Sequence, residues 1–194
     1  MAYNALIIGT GRIASGFDAP SADTVLTYAH AYTKHEGFKL VGFYDISIGA
    51  SKLAAQKWNC DYFENISVAE ERIDVVSICT PDSSHLESLT QAMILKPKLI
   101  FLEKPITNNM SEIIQLLKIA EGISIAINYS RRYVSEFQNL SQRISGEEFG
   151  KFIGGVGYYG KGFIHNRSHM IDLLRPFGWK RWICGKSSCC GRFL

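Results

Sequence analysis

The stretch 3–14 limits the fold more than any other part of the chain. The apolar run YNALII at 3–8 breaks at Gly9 and continues Gly-Thr-Gly-Arg-Ile-Ala, a G-x-G-x-x-A spacing. A short, largely apolar run ending in glycine reads as a strand buried on both faces, which is the signature of a parallel sheet. The first glycine permits the tight turn out of the strand. The second lets a phosphate approach the backbone, and the small Ala14 lets the following helix pack closely. Such a turn also occurs with no ligand at all, so its context has to carry the reading.

That context is an alternation of strand and helix signals. Strands are predicted at 3–8, 38–44, 73–79, 99–102 and 123–127. Helices are predicted at 24–34 with Thr24 as cap, at 48–58, near 85–95 and at 110–120. This βα order predicts a Rossmann-type, doubly wound parallel sheet. Asp45 stands at the end of the second strand, where a carboxylate accepts hydrogen bonds from ribose hydroxyls; it also reads as a turn aspartate before a Ser47 cap. Gly9, Gly11, Arg12, Ile13 and Asp45 are therefore the first candidates for holding a dinucleotide. Beyond 128 the pattern changes to a helix at 130–144, a glycine- and aromatic-rich strand at 150–162 and a helix at 168–174. The expected organisation is a dinucleotide-binding domain at 1–125, part of an α+β substrate domain at 126–178, and an atypical tail at 179–194.

The tail distorts the composition. The whole chain carries +3, but Lys180, Arg181, Lys186 and Arg192 fall at 180–194 with no acid among them, leaving 17 basic against 18 acidic residues elsewhere. A near-neutral body gives no footprint for nucleic acid. No apolar run approaches the roughly 18 residues of a membrane helix. The amino terminus lacks a basic n-region, so a cytoplasmic protein is expected. Five cysteines, three of them in the tail, show neither a disulfide framework nor a zinc spacing.

Taken in order, GTGRIA, the Tyr44-Asp45 pair, CTPDSSH at 79–85, Glu103-Lys104-Pro105 and SHMIDLL at 168–174 resemble the Gfo/Idh/MocA family of NAD(P)-dependent oxidoreductases over about 3–178. The resemblance implies NAD as cofactor, with NADP as the alternative, and a small sugar or polyol as substrate. It implies homo-oligomers for full-length relatives. By the same resemblance Lys104 is the catalytic cation and His169 the acid/base. Thr80, Pro81, His85 and Glu103 then face the cofactor, and Asn128, Arg132 and His165 the substrate. Pro105 is often cis in the family. An ammonium beside a substrate oxygen lowers the cost of developing alkoxide charge, and a histidine is poised to exchange the hydroxyl proton.

His165, His169 and Asp172 at i, i+4 and i+7 also share a helix face and compete as metal ligands. The motif lacks the glutamate of H-E-x-x-H and His165 precedes the helix, so no metal is expected. Where many family members carry an aspartate four residues before the histidine, this chain has His165. Asp172 reads as a cap or as a partner of Arg175. His30 and His35 are expected at a helix end. After Trp179 the long strands of a substrate domain do not follow, so the chain is expected to be truncated or frameshifted, a dinucleotide-binding fragment with little or no turnover.

Overall fold

The computed structural model describes residues 2–68, 72–107, 109–151, 153, 168–175, 183–185 and 190–192. It divides into two units, Met1–Asn128 and Tyr129–Leu194.

In the first unit the strands are β1 (Tyr3–Ile8), β2 (Phe38–Tyr44), β3 (Asp61–Phe63), β4 (Val75–Ile78), β5 (Leu99–Leu102) and β6 (Ser124–Ile127). They form one parallel sheet in the order β3-β2-β1-β4-β5-β6. This is the dinucleotide-binding order, with its reversal between β1 and β4. The helices are α1 (Tyr28–Lys34), α2 (Ile48–Trp58), α3 (His85–Ile94) and α4 (Met110–Ile119).

The apolar run of β1 is explained by two cores. Ala5 and Ile7 pack with Ala29, Tyr32, Ala54 and Trp58 of α1 and α2. Leu6 and Ile8 pack on the opposite face with Leu89 and Ala92 of α3 and Leu116 of α4. Successive strand residues point to opposite faces, so residues 5–8 of β1, covered on both sides, are all apolar.

The helix starts follow their caps. Ser47 Oγ accepts from Ala50 N and opens α2; Asn109 Oδ1 accepts from Ser111 N and opens α4. α1 begins at Tyr28 rather than near 24. Its cap is Thr27, because Asp18 takes the Leu26 and Thr27 amides and holds the preceding segment away from helical geometry. His30 therefore lies in the first turn of α1, fully buried against Asp18 at 2.9 Å, and not at the carboxyl end of the helix. β3 went unpredicted; it has three residues, two of them exposed.

In the second unit, the expected helix at 130–144 divides into a 3₁₀ turn, Ser130–Tyr133, and α5 (Ser135–Ser145). The break is at Val134, whose backbone is extended. α6 (Ser168–Leu174) lies where it was expected, and β7 (Ile183–Gly185) pairs antiparallel with β8 (Cys190–Arg192). The predicted strand at 150–162 falls almost wholly outside the described residues. No helix among the described residues is long and apolar enough to cross a membrane.

Candidate dinucleotide and active site

The glycine turn joins three strand ends. Gly9 has φ +89°, and a Cβ there would lie 2.9 Å from Thr80 N and 3.0 Å from the Cys79 carbonyl carbon. Only glycine lets the chain leave β1 while pressed against the end of β4. Gly11 differs. Its φ of −60° and ψ of −177° suit any residue, and a Cβ would meet nothing nearer than Cys79 O at 3.9 Å. Internal packing does not call for glycine at 11, whereas a ligand approaching the backbone does.

Asp45, just beyond β2, is clasped to this turn. Its Oδ2 accepts from both Thr10 N and Thr10 Oγ1 at 2.8 Å, and its Oδ1 accepts from Ser47 N at 2.9 Å. A carboxylate has about four lone-pair sites, so Oδ1 keeps acceptor capacity for a ribose hydroxyl. Lys52, the nearby cation that a 2′-phosphate would want, is turned to Glu64 at 3.8 Å and lies over the Tyr62 ring. Ile46, beside Asp45, is 92% exposed and offers no charge.

A cavity of about 620 Å³ opens at the β1/β4 reversal, within the roughly 300–1,000 Å³ typical of ligand sites. Gly9, Gly11, Asp45, Thr80 and Pro81 all line it. The sequence reading missed Thr10, Ile46, Ser84, Glu87, Ser88 and Gln91, which line it too. Position after the acidic residue was the available signal for Ile46, and one-turn spacing along α3 for Ser84, Ser88 and Gln91. Gly11's open face and Asp45's spare acceptor fit a dinucleotide here.

The other expected cofactor residues lie elsewhere. Arg12 is exposed with its guanidinium 4.6 Å over the Phe17 ring, and Ile13 packs against the α1/α2 core. His85 does not line the cavity: it is 1% exposed, with Nδ1 2.9 Å from Ile106 O and Nε2 3.1 Å from Thr80 O. Burial among backbone carbonyls at the head of α3 replaces the expected cofactor-facing role.

Glu103 and Lys104 continue from β5. Glu103 Oε1 accepts from Tyr28 OH at 3.1 Å and from Asn128 Nδ2 at 2.5 Å. Tyr28 was not singled out from sequence, and no local signal links it to Glu103. Burial, with Cys79 and Glu103 nearby, pushes its hydroxyl far above the ordinary tyrosine range, so it remains a donor. Burial, then Glu103, also raises the Cys79 thiol, an inert group and no nucleophile. The Lys104–Pro105 bond is cis. Lys104 is half-buried and has no hydrogen-bond or ion-pair partner among the described residues.

In the second unit, Arg132 makes a bidentate pair with Asp172 through Nε at 3.0 Å and a second, very short contact from its Nη2. One expectation changes here: Asp172 pairs with Arg132 and not with Arg175. Arg132, expected at the substrate, holds this carboxylate with its side chain partly exposed. The Arg132 guanidinium also lies over Tyr129, whose ring meets His169 edge-on at 5.5 Å. His165 lies outside the described residues. Among the described residues no three histidine, cysteine or acidic side chains gather as a metal site.

The profile described as an oxidoreductase family with an NAD-binding Rossmann fold, Gfo/Idh/MocA, matches residues 3–127. No curated protein matches the chain. Among solved structures, scyllo-inositol dehydrogenase from Lactobacillus casei, with NAD(H) and scyllo-inositol bound, is 20% identical with a TM-score of 0.70, over 91% of this chain and 56% of that one. Myo-inositol 2-dehydrogenase from Lactobacillus plantarum is 22% identical with a TM-score of 0.70, over 91% and 56%. An NAD-binding protein from Listeria innocua is 20% identical with a TM-score of 0.67, over 90% and 54%. At this identity the likeness is one of fold, and the chain spans little more than half the length of these structures.

Proposed function

The chain belongs to the Gfo/Idh/MocA oxidoreductase family, with that family's NAD-binding Rossmann fold, and from this premise we propose that it serves hydride exchange between NAD and a secondary hydroxyl of a sugar- or polyol-like substrate. In this reading residues 1–125 bind the dinucleotide, 126–178 belong to a substrate domain and 179–194 form an atypical tail. The observation that carries it is the cavity at the strand reversal, where Gly9, Gly11, Asp45, Thr80 and Pro81 converge.

The nicotinamide, when bound, supplies the hydride acceptor or donor. The chain's own residues do the rest. Gly11 admits the pyrophosphate to the backbone, and Asp45 takes the ribose hydroxyls. Lys104 holds the substrate oxygen and offsets its charge as the carbon changes oxidation state, an interaction strongest in the transition state. His169 exchanges the hydroxyl proton as general acid/base. Glu103, fixed by Tyr28 and Asn128, keeps its second oxygen for the cofactor or the lysine.

Replacing Lys104 by alanine tests this in a full-length relative with the same motifs: turnover falls far more than NAD affinity. Unchanged turnover would return Lys104 to the role of a strand-end surface residue. A second reading, dinucleotide binding without turnover, draws support from the cavity's lining, which includes Gly11 and Asp45 but not Lys104. NADH production from polyols by the 194-residue protein would exclude it.

A further inference from the structure

His85 occupies a position that neither cofactor contact nor simple core packing accounts for. It is fully buried at the head of α3, and each ring nitrogen faces a backbone carbonyl from a different loop. Nδ1 faces Ile106 O, two residues after Lys104 on the segment leaving β5. Nε2 faces Thr80 O, on the segment leaving β4 that lines the cavity. An apolar side chain of equal volume would fill the space; only a hydrogen-bonding ring ties both loops. Both partners are carbonyl oxygens, which only accept, and a neutral imidazole has a single N–H, so tying both loops takes a ring that carries both N–H groups. Without the ring the Ile106 and Thr80 carbonyls need other partners, since an acceptor left unpaired is costly.

The Thr80 loop is anchored on its other side as well. Thr80 Oγ1 meets Ser88 Oγ at 3.0 Å, one turn along α3 from His85. Gly9 runs so close to the Thr80 loop that a Cβ there would lie 2.9 Å from Thr80 N. The Lys104 segment is held at its start by Glu103 N donating to Ile78 O at 3.0 Å, and at its end by Ile106 O on His85. His85 is thus the side chain shared by the loop that shapes the cavity and the loop that carries Lys104.

We propose that His85 is a positioning residue that sets the cofactor-lining Thr80 loop and the Lys104 loop in register through its two ring nitrogens. The proposal rests on the dinucleotide-binding reading above for its functional meaning, but its structural half is independent of that reading.

The two contacts can be separated by substitution. In His85→Asn the side-chain amide nitrogen takes the place of Nδ1 and keeps the tie to Ile106. In His85→Gln it takes the place of Nε2 and keeps the tie to Thr80. Amide hydrogen exchange on the 194-residue chain is read at 79–84 and 104–107, together with NAD affinity by calorimetry. His85→Asn is expected to exchange about fivefold faster at 79–84 with 104–107 unchanged, and His85→Gln the reverse, the equivalent of one lost hydrogen bond. NAD binding weakens about threefold or more in His85→Asn and less in His85→Gln, because Thr80 and not Ile106 lines the cavity.

Equal acceleration of both segments in both variants, or of neither, would overturn the proposal, since a merely space-filling residue gives no split. Should both variants fail to fold, the wild-type ring decides. Slowly exchanging N–H groups on both ring nitrogens, with through-hydrogen-bond coupling to the Ile106 and the Thr80 carbonyl carbons, support the brace, and coupling to one or neither overturns it. If the wild type fails to bind NAD while the exchange split is seen, the proposed function fails and the brace stands.

Discussion

Substituting each turn glycine by alanine should separate what the fold needs from what the ligand needs. At Gly9 alanine must adopt φ +89°, at a cost of about 1–2 kcal/mol. Its methyl would also sit 2.9 Å from Thr80 N, a backbone atom that cannot step aside cheaply; overpacking of this kind costs about 1–3 kcal/mol. Together these lower the melting temperature of the first unit by roughly 10 °C or more. At Gly11 the backbone is ordinary and the nearest atom is 3.9 Å away. Alanine there should leave stability unchanged or raise it by about 0.4–1 kcal/mol through the unfolded chain. Its methyl instead stands where a phosphate approaches, and NAD affinity should fall about tenfold or more, on the order of 1.4 kcal/mol. Scanning fluorimetry reads the first effect and isothermal calorimetry the second. Wild-type NAD affinity in Gly11→Ala, or a wild-type melting temperature in Gly9→Ala, would refute the reasoning.

Competitive titration should show NAD preferred over NADP, with the preference shrinking in Asp45→Ser; equal wild-type affinities would remove Asp45 from cofactor choice. Acid should destabilise the first unit through Asp18 and Asp74. At Asp18 burial pushes the carboxyl up, but hydrogen bonds from the Thr27 hydroxyl, the Leu26 amide and His30 outweigh it and hold the group below its ordinary value. At Asp74 the Lys98 hydrogen bond is the chief cause of a lowered value. A depressed native pKa gives stability that is present above the unfolded value near ~3.9 and lost as pH falls through the folded one. Urea melts below about pH 4 should therefore weaken, and less so in Asp18→Asn, which forfeits that contribution at every pH. In Arg132→Ala, the buried Asp172 loses its bidentate partner, and amide exchange in α6 should quicken by the equivalent of about 1–3 kcal/mol; unchanged exchange would make the pair decorative.

The first unit was largely legible because its physics is local and periodic. The strands at 3–8, 38–44 and 99–102 stand out as apolar runs that only a doubly covered sheet requires. Ser47 marks the start of α2 by its own side chain. Thr24 misled because the true cap, Thr27, is fixed by Asp18 nine residues earlier, a tertiary contact with no local signature. The glycines stood out by their spacing and Asp45 by its place at the end of the second strand, and all three line the cavity, whereas His85 was misplaced. A histidine at a helix head looks the same in sequence whether it faces a cavity or two backbone carbonyls. Tyr28's link to Glu103 spans 75 residues and has no sequence signal at all. Arg132 and Asp172 were both noticed, yet their mutual pairing depends on how the turn at 130–133 meets α6, which periodicity does not encode.

The central claim is that the convergence of Gly11, Asp45 and Thr80 is an NAD site. Calorimetric titration of the wild-type chain with NAD, beside Gly11→Ala and Asp45→Ala, tests it most directly. The account predicts saturable binding of one NAD per chain, weakened in both variants while Gly11→Ala melts like the wild type. Absence of NAD binding by a folded wild-type chain, or binding indifferent to both substitutions, would contradict it.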